Sequence, residues 1–419
     1  MKKKDLRSKE WFDNPKDPGL TALYLERYLN YGLKKKDLQS GKPIIGIAQS
    51  GSDLSPCNRH FLSLSKTIKD GVRESGGVPM EFPTHPIQET GKRPTAALDR
   101  NLSYLSLVEV LYGYPIDGVI LTTGCDKTTP AALMAAATVN IPSIVLSGGP
   151  MLDGSYKGKK AGSGTIIWEA RKLHAKGEIN YDEFMDMAAA SAPSIGHCNT
   201  MGTASSMNSI AEALGMSLTG GAIIPAPYKE RETISFETGK RIVEMVHEDL
   251  KPSKIMTKEA FENAIYVASA IGASSNCPPH LTAIARHMGI DLSIDSWEKL
   301  GHDIPLLVNC QPAGEYLMEG FFKAGGIPAI MQELMKNSKL HKNVMTVTGK
   351  TIEENLNIKI DVDGNVIKSF KNPLVKNAGF IVMKSNFFSS AVMKTSVISE
   401  EFRKRYLSNP KNPNVFEAN

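Results

Sequence analysis

The stretch from Ile116 to Ala137 constrains the fold more tightly than any other part of this chain. Ile116-Asp117-Gly118-Val119-Ile120 is a short apolar run that predicts a buried strand. Ala131 to Ala137 consists of strong helix formers, and Pro130 suits a first helical turn. Between them runs Leu121-Thr122-Thr123-Gly124-Cys125-Asp126-Lys127-Thr128-Thr129-Pro130. Strand-loop-helix units of this kind call for crossover connections and a parallel sheet. In open α/β sheets, ligands bind beyond the carboxyl ends of the strands. A thiol, a carboxylate and an amine therefore stand consecutively at the edge where ligands gather. The plain structural alternative is a buried Cys beside a helix-capping Asp and a surface Lys.

Further units of the same type flank this one. Pro43 to Ala48 reads as a first core strand, and the polar loop Gln49 to Asn58 carries Cys57 just ahead of a helix over 59–74. That helix has apolar spacing at Phe61, Leu62, Leu64, Ile68 and Val72. Val78 to Phe82 is a second strand, and the loop after it, Pro83 to Thr90, carries His85 and Glu89. Pro142 to Leu146 is a fourth strand, running into Ser147-Gly148-Gly149-Pro150. An amphipathic helix is expected through Ala22 to Leu29, others over 182–190 and from about 204 to Leu214, and a mostly helical region over 229–300. Pro305 to Val308 reads as another strand. From about residue 343 the texture becomes β, with strands expected at Val344–Val347, Ile358–Val362, Ala378–Val382 and Ala391–Ile398. The fold class is α/β with a doubly wound parallel sheet over residues 1–375. A second, β-rich unit is expected over 376–419.

Composition excludes several function classes. The net charge of +5 is diffuse, and the basic clusters Lys2-Lys3-Lys4 and Lys34-Lys35-Lys36 lack interleaved aromatics, so no nucleic-acid partner is expected. No apolar run approaches the roughly 20 residues of a membrane span. No apolar signal core follows the basic N-terminus, so a cytoplasmic protein is expected. Five widely spaced cysteines do not form a disulfide framework, which favours metal binding or catalysis. Two motifs are decoys. Thr348-Gly349-Lys350-Thr351 has Val344 where a phosphate-binding loop needs its first glycine. Asp361-Val362-Asp363-Gly364-Asn365 has Val366 at the glycine position of a calcium loop, so a turn is expected there.

Cys57, Cys125 and Cys198 share one context: a polar loop bearing glycine or proline that runs into a helix. Three strand-end loops on one sheet edge can bring such residues together. Three thiolates suit an iron–sulfur cluster or zinc and leave a coordination position open. Glu89, Asp126 and Lys127 are candidates for a second, harder site; carboxylates suit Mg²⁺, and a carbamylated lysine adds another oxygen ligand. Cys277 and Cys310 lie among apolar or proline neighbours and read as core residues.

Pro56-Cys57-Asn58, Thr123 to Pro130 and Gly196-His197-Cys198-Asn199-Thr200-Met201-Gly202-Thr203-Ala204 resemble, in order, the three cluster motifs of the dihydroxyacid and sugar-acid dehydratase family (IlvD/Edd). Trp11-Phe12-Asp13-Asn14-Pro15 and Ala22 to Tyr28 are similar to its sugar-acid branch, which acts on arabinonate and xylonate. The resemblance implies a [2Fe–2S] cluster on Cys57, Cys125 and Cys198, and Mg²⁺ on Glu89, Asp126 and carbamylated Lys127. It implies dehydration of a small-molecule sugar acid to a 2-keto-3-deoxy acid, and a homo-oligomer, dimer or tetramer. The branched-chain dihydroxyacid dehydratases are the alternative within the family, and a non-catalytic iron–sulfur protein is the alternative outside it. Family members continue into a C-terminal β-barrel-like domain that supplies a serine base and a further Glu ligand. Neither can be located here, so the expectation is a C-terminally truncated chain or half of a split enzyme.

Overall fold

The computed structural model describes residues 6–88 and 96–402. Glu89, the Lys2-Lys3-Lys4 cluster and the Ser408-Asn409-Pro410 segment lie outside the described residues. Four parallel strands form the central sheet: β1 (Ile44–Gln49), β2 (Val78–Pro83), β3 (Gly118–Thr123) and β4 (Ser143–Ser147). They stand in the order β2-β1-β3-β4. Every residue of β1, β3 and β4 is buried, as continuous apolar runs in a parallel sheet covered on both faces require. Ile45 pairs with Pro79 and with Gly118, and Ile120 pairs with Ile144. The chain leaves β1 toward β2 and then crosses back to β3, so the direction of winding reverses between β1 and β3. That is the switch point where the loops of such a sheet part and leave a crevice.

Helices cover both faces. On one, Phe61–Glu74 and Lys229–Glu248 pack against each other and onto the strands. They cross at Gly71 and Gly239, where a Cβ on Gly71 would stand 2.1 Å from Phe236 O. Only glycine allows that approach. On the other face, Ala96–Gly113 lies against Thr128–Val139. Behind these sits Thr203–Ala213, all eleven residues of it buried. Each fully buried Leu or Ile side chain of this core contributes about 1.5–3 kcal/mol relative to exposure. No helix among the described residues is long and apolar enough to cross a membrane.

Two hairpins stand apart from the main sheet: β5 (Gly154–Tyr156) with β6 (Lys159–Ala161), and β7 (Phe380–Met383) with β8 (Ala391–Lys394). The expected strands at Val344–Val347 and Ile358–Val362 do not form, and Pro305–Val308 contributes only isolated bridges, Leu306 to Val375 and Val308 to Ile367. β-branched residues there lie in extended loops with no continuous partner, and pairing, not propensity, makes a strand. Of the β-rich C-terminal region, the described residues hold the single hairpin β7–β8. Both decoy motifs are closed turns: Thr346 N donates to Lys350 O at 3.0 Å, and Asn365 N donates to Asp363 Oδ1 at 2.8 Å.

Candidate active site

The loops that leave β1 and β3 at the switch point carry Cys57 and Cys125, and one side chain joins them. Asn58, fully buried, accepts the Cys125 N–H on Oδ1 at 2.8 Å and donates from Nδ2 to Ser50 Oγ at 3.0 Å. Ser50 N in turn donates to Thr122 Oγ1 at 2.9 Å, which donates to Ala48 O at 2.7 Å. A Cβ on Gly124 would stand 2.4 Å from Asn58 Oδ1, so the joint forms only with glycine there. Thr128 closes the far side by accepting Gly124 N and donating to Cys125 O. The Cys125 loop is thereby fixed at both shoulders by buried hydrogen bonds, each costly to leave unmade.

Cys198 arrives differently. The sequence reading placed it on a third strand-end loop, but its loop follows helix Tyr181–Ala190 and no strand of the sheet; it precedes the buried helix Thr203–Ala213 and docks on the loop beyond β4. His197 N donates to Gly149 O at 3.0 Å and Met151 N donates to His197 O at 2.9 Å. Asn199, buried, holds Ser163 N and Leu152 O. Asn208, from the helix that follows, donates to Gly124 O at 3.1 Å and accepts from Thr123 and Thr129. One buried helix thus ties the Cys198 segment to the Cys125 loop.

The Cys57 and Cys125 thiols are in hydrogen-bond contact. That bond, then burial, then the charges that Cys125 and Cys198 would carry, push the Cys57 thiol far above the ordinary range. Removing a proton beside two further thiols is unfavourable until a cation compensates it. Cys57 is half-buried, Cys125 buried and Cys198 exposed. Next in sequence, Lys127 Nζ lies 2.8 Å from Asp126 Oδ2, with both residues about 95% buried (4% and 5% exposed). Asp126 Oδ1 is 3.8 Å from Cys125 Sγ. Among the described residues, no three His, Cys, Asp or Glu side chains stand close enough to hold a single metal ion. The thiols therefore form an open set rather than a one-ion cage. His85, past β2, lies 3.8 Å from Asp99. Cys277 and Cys310 are buried, as core residues should be.

Several buried polar residues around the site were given no role by the sequence reading. His60 Nε2 contacts Gly148 O at 2.9 Å, and His197 Nδ1 contacts the Cys198 carbonyl at 3.1 Å. Burial first holds both imidazoles neutral, with pKa values of about 4 and about 3. Arg231, fully buried, donates to Ser147 O and Gly221 O at 2.5 and 3.0 Å, and to Ile224 O. Glu212 accepts Gly220 N and Ala222 N at 2.7 and 2.9 Å. Together they shape the loop beyond β4 on which Cys198 rests. His60 and His197 sit within three residues of a motif cysteine, which is the one signal that could have found them. Arg231 and Glu212 look like ordinary surface charges in sequence.

Residues 42–355 match the model of the dihydroxy-acid/6-phosphogluconate dehydratase N-terminal family. A D-xylonate dehydratase of Caulobacter vibrioides is 60% identical over 412 residues, covering 98% of this chain and 69% of that protein. An L-arabinonate dehydratase of Rhizobium leguminosarum is 44% identical, covering 95% of this chain and 69% of that protein. A dihydroxy-acid dehydratase of Halothermothrix orenii is 37% identical over 88% of this chain and 68% of its own length.

Proposed function

Because the chain belongs to the dihydroxy-acid/6-phosphogluconate dehydratase family, we propose that it is a hydro-lyase acting on a sugar acid. The reaction removes the C2 proton and the C3 hydroxyl of a 2,3-dihydroxy acid as water, and the enol tautomerises to a 2-keto-3-deoxy acid. The observation that carries this reading is 60% identity to a D-xylonate dehydratase over 98% of the chain. A dihydroxy-acid dehydratase stands at 37%, which makes that substrate class the weaker alternative.

The donor chemistry fits two cofactors. Cys57, Cys125 and Cys198 would hold a [2Fe–2S] cluster, for which thiolates are the fitting ligands. Crowded thiols that resist ionisation alone are what such a cation would relieve. Asp126 and carbamylated Lys127, together with Glu89, would hold Mg²⁺. Bound there, these groups would supply Lewis acidity toward the leaving C3 hydroxyl and toward charge developing over C1 and C2. The chain's own task is positional. Asn58 and Thr128 hold the Cys125 backbone, and Asn208 locks it to the helix behind. Lys127, as an ammonium, occupies one oxygen of Asp126. Carbamylation joins Nζ to carbon dioxide with loss of two protons from the ammonium to solvent, replacing that cation with oxygen donors.

We divide the chain into an α/β unit over 1–375 and the opening of a C-terminal β-barrel-like unit over 376–419; the hairpin β7–β8 supports that division. A cytoplasmic homo-oligomer, dimer or tetramer, completes the reading. The test is anaerobic purification with iron and labile-sulfide quantitation, then assay on a panel of aldonates with Mg²⁺. Iron-bearing protein that forms 2-keto-3-deoxy acids is the expected result. Protein that stays colourless and iron-free after reconstitution overturns the three-cysteine site, and turnover of branched dihydroxy acids alone overturns the sugar-acid assignment.

A further inference from the structure

Asn58 ties the Cys57 loop to Cys125, and Asn208 ties the Cys125 loop to the helix that follows Cys198. A third tie runs between the Cys57 and Cys198 segments, through the glycines beyond β4. His60 Nε2 contacts Gly148 O at 2.9 Å, and His197 N donates to Gly149 O at 3.0 Å. A carbonyl only accepts, so the His60 proton resides on Nε2. Adjacent carbonyls of one loop thus receive one donor from the residue three past Cys57 and another from the residue before Cys198.

Both ends of this path are stiff. Arg59 N donates to Pro56 O at 3.3 Å, and Ser63 N and Leu64 N both donate to His60 O at 3.1 Å. A short helical turn, Pro56–Asn58, therefore leads from Cys57 into helix Phe61–Glu74. The His60 ring is buried and stacks on Phe61, with centroids 5.2 Å apart. At the other end, Pro150 and His197 form a parallel bridge. The Cys198 carbonyl accepts from Ser205 Oγ and from His197 Nδ1, each at 3.1 Å.

The loop between them has little room to move. A Cβ on Gly148 would stand 2.6 Å from His60 Nε2, and one on Gly149 would stand 2.0 Å from Ile224 O. Gly149 also has a φ of +83°, a conformation natural to glycine. From the sheet side, Gly148 N donates to Thr123 O at 2.7 Å, and Arg231 Nη1 donates to Ser147 O at 2.5 Å. The loop therefore cannot follow one histidine without leaving the other. The second observation is an unmatched atom: His60 Nδ1 is buried and has no partner. A ring that only filled space would not carry that cost, so the feature that distinguishes imidazole here is its bond to Gly148.

We propose that His60 is a positioning residue for the three-cysteine site, setting Cys198 against Cys57 through its hydrogen bond to Gly148. This rests on the iron–sulfur reading above. His60→Leu and His60→Phe both remove the donor, the second keeping a ring, while His60→Gln supplies a donor again. The full chain is reconstituted anaerobically, and iron loss to a chelator is followed by visible circular dichroism. Alkylation by iodoacetamide, mapped by mass spectrometry on the iron-bearing protein, reports each cysteine separately. The donor-free variants should lose iron about tenfold faster than wild type, as an unmatched buried carbonyl implies. Cys198 should be alkylated faster than in wild type while Cys57 and Cys125 stay protected, and His60→Gln should recover most of the wild-type behaviour. Far-ultraviolet circular dichroism reports folding, and either donor-free variant that folds suffices for the comparison. Iron loss and alkylation equal to wild type overturn the positioning role alone. Equal loss of protection at all three cysteines, or no recovery in a folded His60→Gln, also overturns it, since either marks a merely structural residue. A wild-type chain that takes up no iron overturns the three-cysteine reading with it.

Discussion

The central sheet and the β7–β8 hairpin are held in place by opposite means. In β1, β3 and β4 every residue is buried, and the loops beyond them are stitched by buried side chains such as Asn58, Thr122 and Asn208. In β8 every residue is only half-buried, and at the hairpin's tip Phe387 is 94% exposed. The first region is positioned by its interior, the second by a few contacts at its base. A site that needs donors held in fixed geometry belongs on the first, because locked neighbours lock the donor.

The sharpest way to break this contrast is Gly124→Ala. The added methyl would meet Asn58 Oδ1, and Asn58 cannot withdraw without abandoning both the Cys125 amide and Ser50. We expect destabilisation of about 1–3 kcal/mol and loss of most bound iron, because Cys57 and Cys125 are displaced together. Chemical denaturation beside iron quantitation checks this. Unchanged iron content would show that the two loops are not locked through Asn58.

A smaller effect comes from Glu212, beneath the loop that carries Cys198. Burial outweighs its two amide donors and Arg231, raising the carboxyl from 4.5 to about 7. The folded chain therefore holds this proton more tightly than the unfolded one. The associated stability is complete below the unfolded pKa and is lost as pH rises through about 7. Glu212→Gln, which does not titrate, should flatten the fall in melting temperature between about pH 5 and pH 8, whatever its constant cost. An identical pH profile in both proteins would show that another group governs the slope.

The contrast also explains what was legible in the sequence. Buried parallel strands announce themselves as unbroken apolar runs: Ile44–Gln49 emerged within one residue of its predicted limits, and Gly118–Thr123 within three. The cysteines at 57 and 125 were legible because each sits in a strand-to-helix loop, where chain order alone fixes the sheet edge. Helix Ala96–Gly113 was not found: Leu98, Leu102 and Leu105 are exposed while Leu107 and Leu111 are buried, so apolar residues surround it and blur its period. Strands expected at Val344–Val347 and Ile358–Val362 failed because β-branched composition does not supply a pairing partner.

The smallest expected effect is at the hairpin tip. The Phe387 ring packs against almost nothing, and the turn is held by backbone N–H groups of Phe387 and Phe388 donating to Ser385 Oγ at 3.0 and 3.3 Å. Those bonds do not involve the ring, so Phe387→Ser should change stability by less than about 0.5 kcal/mol and leave iron content untouched. Removing an exposed aromatic should also lower the tendency to associate through this edge. Denaturation midpoints and light scattering of the variant against wild type measure both. A loss of stability comparable to that of Gly124→Ala would mean that the ring has a packing partner, and that the hairpin is fixed as firmly as the sheet.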